Sequence, residues 1–417
     1  MSVAAPLVIV NGRLVPPAGE PRPGAIRCEN GVVVALDGTV VARDGDTVVD
    51  ARGALVTPAL IDLGVFAIDR PAFHFGGIVR AALMPDETPP LDHPARVRFA
   101  AQSGKPDLWV HPLAAATRGL EGRELAELAL MREAGARAVA TGRKWVADSG
   151  VMLRLLRYAA MLDLVVVTHA EDSGLSGEAV ATSGEMATRL GLPAAPAEAE
   201  ALAVARDIVL AELAGARLHI RQVTTAAGLA LVRTAKARGV AVTAGVTPAH
   251  FMLSDLELAD FRTFVRLSPP LRCEADRQAV LSALADGTID VVGSGHDPRG
   301  PEDKRLPFAD AAPGMAGAET LLSLTLTLVR DGVIDLARAF ALLTANPARL
   351  LGVNAGELRV GAEADLAIVD PARPWIVDSN KMAAAAGNTP FDRRPVEGRV
   401  TALFKGGTAV GLKTHLR

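Results

Sequence analysis

Eight apolar runs with strand character, near residues 60–66, 78–84, 107–112, 137–141, 164–169, 217–223, 240–246 and 289–294, succeed one another along the middle of this chain. Stretches of helical pattern, such as Gly122 to Ala134 and Ala197 to Leu213, separate most of them. Strand alternating with helix leads to parallel sheets, because a parallel neighbour needs a crossover that returns the chain to the same edge. With eight such units the sheet closes on itself, and the expected fold is α/β, a (β/α)8 TIM-type barrel. Its active site would sit at the C-terminal ends of the strands.

The two ends of the chain have a different texture. The first 57 residues carry short strands broken at Asn11-Gly12, Asn30-Gly31, Asp37-Gly38 and Asp44-Gly45-Asp46, which are hairpin and turn signals. Strands and turns return at Gly356-Glu357-Leu358, Ala364 to Asp370 and Val400 to Gly407. The expected organisation is therefore a small β-sandwich built from residues 1–57 and 354–417, flanking a barrel over 58–353. A length of 417 residues accommodates both. One connection is short: about ten residues separate Phe66 from Gly76, at the lower limit for a crossover that includes a helix. The first barrel helix is expected to be truncated or missing, which leaves barrel surface for something else to cover.

Charge and motif content exclude several function classes. A net charge of -3, without a long Lys/Arg run, gives no footprint for nucleic acid or for an anionic membrane. No apolar run reaches membrane-spanning length. Met1 to Val10 lacks a basic leader and runs into Asn11-Gly12, so it reads as a strand rather than a signal peptide. Cys28 and Cys273 are isolated thiols, which fits a reducing, cytoplasmic compartment. There is neither a G-x-x-x-x-G-K-[ST] phosphate loop nor a G-x-S-x-G elbow.

The first barrel strand carries the chemical signal. Side chains two apart on a strand face the same way, so a D-x-H-x-H strand aims two imidazoles at one metal. Here Thr57-Pro58-Ala59-Leu60-Ile61-Asp62-Leu63-Gly64-Val65-Phe66 keeps that frame, with Gly64 and Phe66 at the ligand positions. Neither has a lone pair to offer.

Further stretches match in order and spacing: Met84 to Pro89, Thr168-His169-Ala170-Glu171-Asp172, Val246 to His250, Pro269-Pro270-Leu271-Arg272, Gly314 to Thr320, Asn346 to Gly352 and Asn388-Thr389-Pro390-Phe391. With these the chain resembles the dihydroorotase branch of the metal-dependent amidohydrolases over nearly its whole length. The resemblance implies a barrel in which one or two zinc ions activate water against a cyclic amide while an aspartate moves the proton. It also implies which positions have changed. Gly64 and Phe66 replace the first-strand histidines, Ile68 the substrate-gripping arginine, Gln222 the sixth-strand histidine and Gly295 the proton-shuttling aspartate, while Asp86 and Ser268 replace substrate asparagines.

His169 and Asp148 are the surviving ligand types, one short of the three protein ligands of a catalytic zinc. Each also has a structural reading: His169 as a hydrogen-bonded buried imidazole, Asp148 as the cap of a helix starting near Val151. Asp62, Arg272 and Arg349 read as structural. A rebuilt mononuclear zinc site would have to draw on Asp148, His169, His296 and Asp297, with His74 or His219 as further donors. His219, which alternates with Arg221, otherwise reads as barrel filling or surface.

Three functions follow as expectations. The first is a catalytically inactive dihydroorotase homologue without a cofactor, not an enzyme, acting in pyrimidine biosynthesis as a structural or regulatory partner in a homo- or hetero-oligomer. By resemblance its partner would be aspartate carbamoyltransferase. The second is an active hydrolase of a cyclic amide such as dihydroorotate, a hydantoin or allantoin, working through the rebuilt zinc site. The third is a binding protein that holds a small ligand in a barrel mouth lined by Phe66, Ile68 and Gln222.

Overall fold

A computed structural model describes residues 5–38 and 40–411; Met1 to Ala4, where the first strand was expected to begin, lie outside the described residues. The barrel strands are Leu60–Val65, Ile78–Leu83, Trp109–Ala115, Ala138–Ala140, Val165–Thr168, Leu218–Ile220, Val242–Val246 and Val291–Val292. All run parallel and pair in sequence order, one from each expected run. The period of two sends Ile61, Leu63, Ala82, Ala138, Ala140, Val165 and Val167 into one interior cluster, while their neighbours pack against the helices. Small side chains let the interior close without large rings.

The seam between the last and first strands is held by Asp62. Fully buried, it accepts hydrogen bonds from the Ser294 backbone N–H at 2.8 Å and from the Ser294 hydroxyl. Burial pushes this carboxyl up, and the Ser294 bonds oppose the shift. Phe66 N–H donates to the His296 carbonyl at 2.9 Å and completes the closure.

The helix expected over Ala197 to Leu213 forms as Glu198–Ala214. The one expected over 122–134 contracts to Leu128–Glu133, because Leu125 pairs with Thr117 in an isolated bridge that turns the preceding segment into a loop. The short first connection holds a seven-residue helix, Arg70–Gly76. Asp69 caps its start, Pro71 fits its first turn, and Gly77 ends it in the left-handed region at φ +83°. Beside the first two strand ends an apolar groove opens, lined by Ile68, Leu83, Leu91, Ala95 and Phe99; the Phe99 ring is 78% exposed.

The chain ends meet in one eight-stranded mixed sheet, in which Leu55–Pro58 pairs antiparallel with Leu366–Ile376. A buried ion cluster fastens this sheet to the barrel. Arg80, in the second barrel strand, donates to Asp365 at 2.7 Å and pairs with Glu363; Lys405 reaches Asp365 at 2.9 Å, and both cations lie over the Trp109 ring. Arg349, its side chain 70% exposed, bonds Asn346 at 3.1 Å and pairs with Glu357 at 3.9 Å. No helix among the described residues is long and apolar enough to cross a membrane.

Candidate active site at the barrel mouth

Phe66, Arg143, Arg221, Gln222, Thr247, His250, Ser268, Gly295 and Asp297 converge at the C-terminal ends of the strands around a cavity of about 20 Å³. Two parts of this lining are fixed from behind. The segment after the sixth strand, Gln222-Val223-Thr224-Thr225, is anchored on buried Glu200, which accepts from the Thr224 and Thr225 backbone N–H groups at 2.8 Å each. Arg272 bonds Thr224 Oγ1 at 2.9 Å and pairs with Glu200 at 3.4 Å, so its structural reading becomes a specific one: it braces this loop. His250 is held between the Thr247 hydroxyl, 2.9 Å from Nδ1, and the Pro269 carbonyl, 3.1 Å from Nε2. Burial holds its pKa down at about 4, so the imidazole is neutral, with its proton on Nε2.

The charged centre of the mouth is a pair of arginines around one ring. The Arg143 guanidinium lies 3.6 Å from the Phe66 ring centroid and that of Arg221 lies 5.0 Å away. Arg143 pairs with Asp297 at 2.8 Å, and Asp297 also meets Arg299 at 3.2 Å. Arg221 extends past Gly64, where a Cβ would stand 3.1 Å from Arg221 Cδ, and its Nη2 donates to His169 Nδ1 at 3.4 Å. His169 Nε2 then faces Glu171 at 3.5 Å. The Arg143 backbone N–H donates to Asp86 Oδ1 at 2.8 Å, while Asp86 Oδ2 is covered and without a partner. Burial raises the Asp86 carboxyl, against the opposing pull of Arg143 and Arg221.

The expected site residues divide accordingly. Phe66, Gln222 and Gly295 line the mouth and Gly64 adjoins it through Arg221, but Ile68 belongs to the outer groove and not to the mouth. Gly295 has φ +61° and Thr247 Cγ2 only 3.0 Å from its would-be Cβ, so an aspartate there would be strained as well as crowded.

The four donors of a rebuilt zinc site do not meet. Asp148 caps the helix Ser149–Met161 through Val151 N–H at 2.7 Å. His296 turns toward Asp69, 3.4 Å away, and packs on Phe73. His169 and Asp297 are engaged by arginines. His219 fills the barrel against Thr243, at 2.9 Å, and His74 is buried in the short first helix. Among the described residues no three His, Cys, Asp or Glu side chains are grouped to hold a metal ion, so this donor set does not fit a catalytic zinc.

Neither Arg143 nor Arg221 stands out in the sequence, the latter as the neighbour of a barrel-filling histidine. The available signal was a charge at the end of an otherwise apolar buried strand.

Comparison with known proteins places the chain. Residues 55–227 match the Dihydro-orotase-like family. A protein of Pelotomaculum thermopropionicum named Dihydroorotase is 43% identical over 378 residues, 87% of this chain and 88% of that protein. One of Citrifermentans bemidjiense with the same name is 37% identical over 417 residues, 96% and 98% of the two chains. The chain belongs to the dihydroorotase-like family. The barrel and its sheet are shared with the L-hydantoinase of Arthrobacter aurescens at a TM-score of 0.87, with 24% identity and 97% and 96% of the chains covered, and with the dihydropyrimidinase of Brevibacillus agri at 0.82 and 23%, covering 97% and 95%; at such identities the likeness speaks for the fold.

The relatives correct one expectation. A chain this similar to dihydroorotases over almost its whole length is to be read with enzymes, and the expectation that it is not an enzyme does not stand. That expectation equated missing histidines with missing chemistry. In this family member the vacated positions are filled by charged and hydrogen-bonding groups from other strands.

Proposed function

We propose that this dihydroorotase-like chain hydrolyses a cyclic amide that carries a carboxylate, with dihydroorotate as the first candidate, at the barrel mouth. The observation that carries the reading is the 37–43% identity to dihydroorotases over 87% or more of the chain, together with buried polar groups converging where a barrel enzyme does its chemistry. Asp86 lies behind the mouth, bonded to the Arg143 N–H with its Oδ2 covered and unpartnered, and is the group suited to take the proton of the attacking water once Arg143 has moved. Water oxygen bonds to the ring carbonyl carbon, the carbon–nitrogen bond breaks, and the proton held on Asp86 passes to the departing nitrogen. The guanidinium groups, while they grip the substrate carboxylate, place positive charge near the oxygen that becomes anionic in between. The cavity has room for a water and not for a ring, so entry requires Arg143, 30% exposed, to swing away from Asp297. Assaying the purified full chain against dihydroorotate, a hydantoin and allantoin tests the reading. Ring opening of dihydroorotate above the spontaneous rate supports it, and no turnover of any of the three refutes it.

Alongside hydrolysis we propose assembly with aspartate carbamoyltransferase through the apolar groove along the helix Pro94–Gln102. An aromatic ring 78% exposed on an apolar groove is the observation that favours a partner there. Co-purification of the two proteins from cells that express both, lost in Phe99→Ser, is the expected result; absence of the transferase from the wild-type preparation would remove the proposal.

A further inference from the structure

Four arginines are buried in the described part of the molecule: Arg27, Arg80, Arg221 and Arg272. Buried charges are ordinarily paired, because an isolated one loses its hydration without recompense. Arg27 faces Asp46 at 2.7 Å, Arg80 faces Asp365 at 2.7 Å, and Arg272 faces Glu200 at 3.4 Å. Arg221 alone among them has no described carboxylate within 4 Å, although it is only 6% exposed. Its Nη2 meets a histidine nitrogen and its Nε has no hydrogen-bond partner. A buried guanidinium at the mouth of a barrel, with its Nε donor unanswered and only the longer-range attraction of Asp86 and Asp297 beside it, describes a binding site from the protein's side: the missing component is an anion with planar acceptor geometry.

We infer that the mouth is a carboxylate-binding site in which Arg221, backed by Arg143, supplies the positive charge that relatives with a D-x-H-x-H strand would draw from bound metal. The inference rests on the cyclic-amide reading for the identity of the ligand and deepens it. The exchange is readable in the chain itself: Gly64 leaves the space through which Arg221 reaches the centre, and Phe66 offers its ring face to both guanidinium groups. A carboxylate entering the mouth exchanges with Asp297 at Arg143 and fills the vacant side of Arg221. A ring without a carboxylate offers Arg221 only neutral carbonyl oxygens.

Calorimetric titration of the full chain in chelator, after elemental analysis for zinc, separates the possibilities. The probes are dihydroorotate, its ring-opened carbamoyl-aspartate product, and dihydrouracil, which has the ring but no carboxylate. The inference expects both carboxylates to bind to metal-free protein and dihydrouracil to bind at least about tenfold more weakly, with a loss of about tenfold or more in Arg221→Gln. Arg143→Gln, at a partly exposed position, gives the same direction of change should Arg221→Gln fail to fold. Near-stoichiometric zinc whose removal abolishes binding, or equal affinity for dihydrouracil, overturns the inference. Binding without turnover would leave the carboxylate site standing and remove the hydrolase reading; turnover only with added zinc would do the reverse.

Discussion

At the scale of single residues, the change of site is visible in how each vacated position is reused. Gly64 has φ +90° and lies against Arg221, so Gly64→His does not restore a ligand. It forces a side chain into a left-handed backbone and into contact with an arginine, and the expected outcome is a loss of about 1–3 kcal/mol in urea unfolding without any gain in bound zinc. The loss of the histidines was legible in the sequence because strand alternation fixes where they must stand. What replaced them was not, because Arg221 and Gly64 meet only once the barrel has closed. Buried histidines give a second prediction. Burial lowers His111 and His219 to about 3 and His250 to about 4, from an ordinary 6.5. Their folded pKa values lie below the unfolded one, so the unfolded chain binds more protons and stability, complete above pH 6.5, is lost as pH falls toward 4. Between pH 6.5 and 5 the slope should exceed that of one histidine, about 1.4 kcal/mol per pH unit at its steepest. His219→Gln should flatten it, as measured by urea midpoints across that range.

At the scale of elements, the strands were readable because apolar runs bounded by polar turns are a local property, and each of the eight expected runs contains one. The helix over 122–134 was misjudged for the opposite reason: the bridge between Thr117 and Leu125 that shortens it depends on the loop's return, not on helical pattern. The loop after the sixth strand depends on Glu200, a residue of the helix Glu198–Ala214 that receives the two threonine N–H groups and Arg272. Glu200→Ala strands these donors and leaves Arg272 without its closest carboxylate. A destabilisation of about 3–5 kcal/mol is expected, smaller in Glu200→Gln, which keeps an acceptor oxygen. Denaturant unfolding of the two variants provides the comparison.

At the scale of the whole molecule, the sheet made from both chain ends and the barrel behave as one body through the Arg80, Asp365 and Lys405 cluster. Removing its shared acceptor in Asp365→Ala leaves two buried cations facing only Glu363, and a loss of about 3–5 kcal/mol in thermal or urea unfolding is the expected result. The barrel and the sheet-forming ends could be read from the alternation of strand and helix and from the distribution of turns. The working mouth could not, since it joins residues from the first, fourth, sixth, seventh and eighth strand ends whose proximity no local pattern announces. Its chemistry is therefore what most needs direct measurement: the rate of dihydroorotate ring opening by the full chain, with Arg221→Gln and Arg143→Gln beside it. The account predicts turnover above the spontaneous rate in the wild type, reduced about tenfold or more in both variants. A rate equal to the spontaneous one, or one that neither substitution changes, would contradict it.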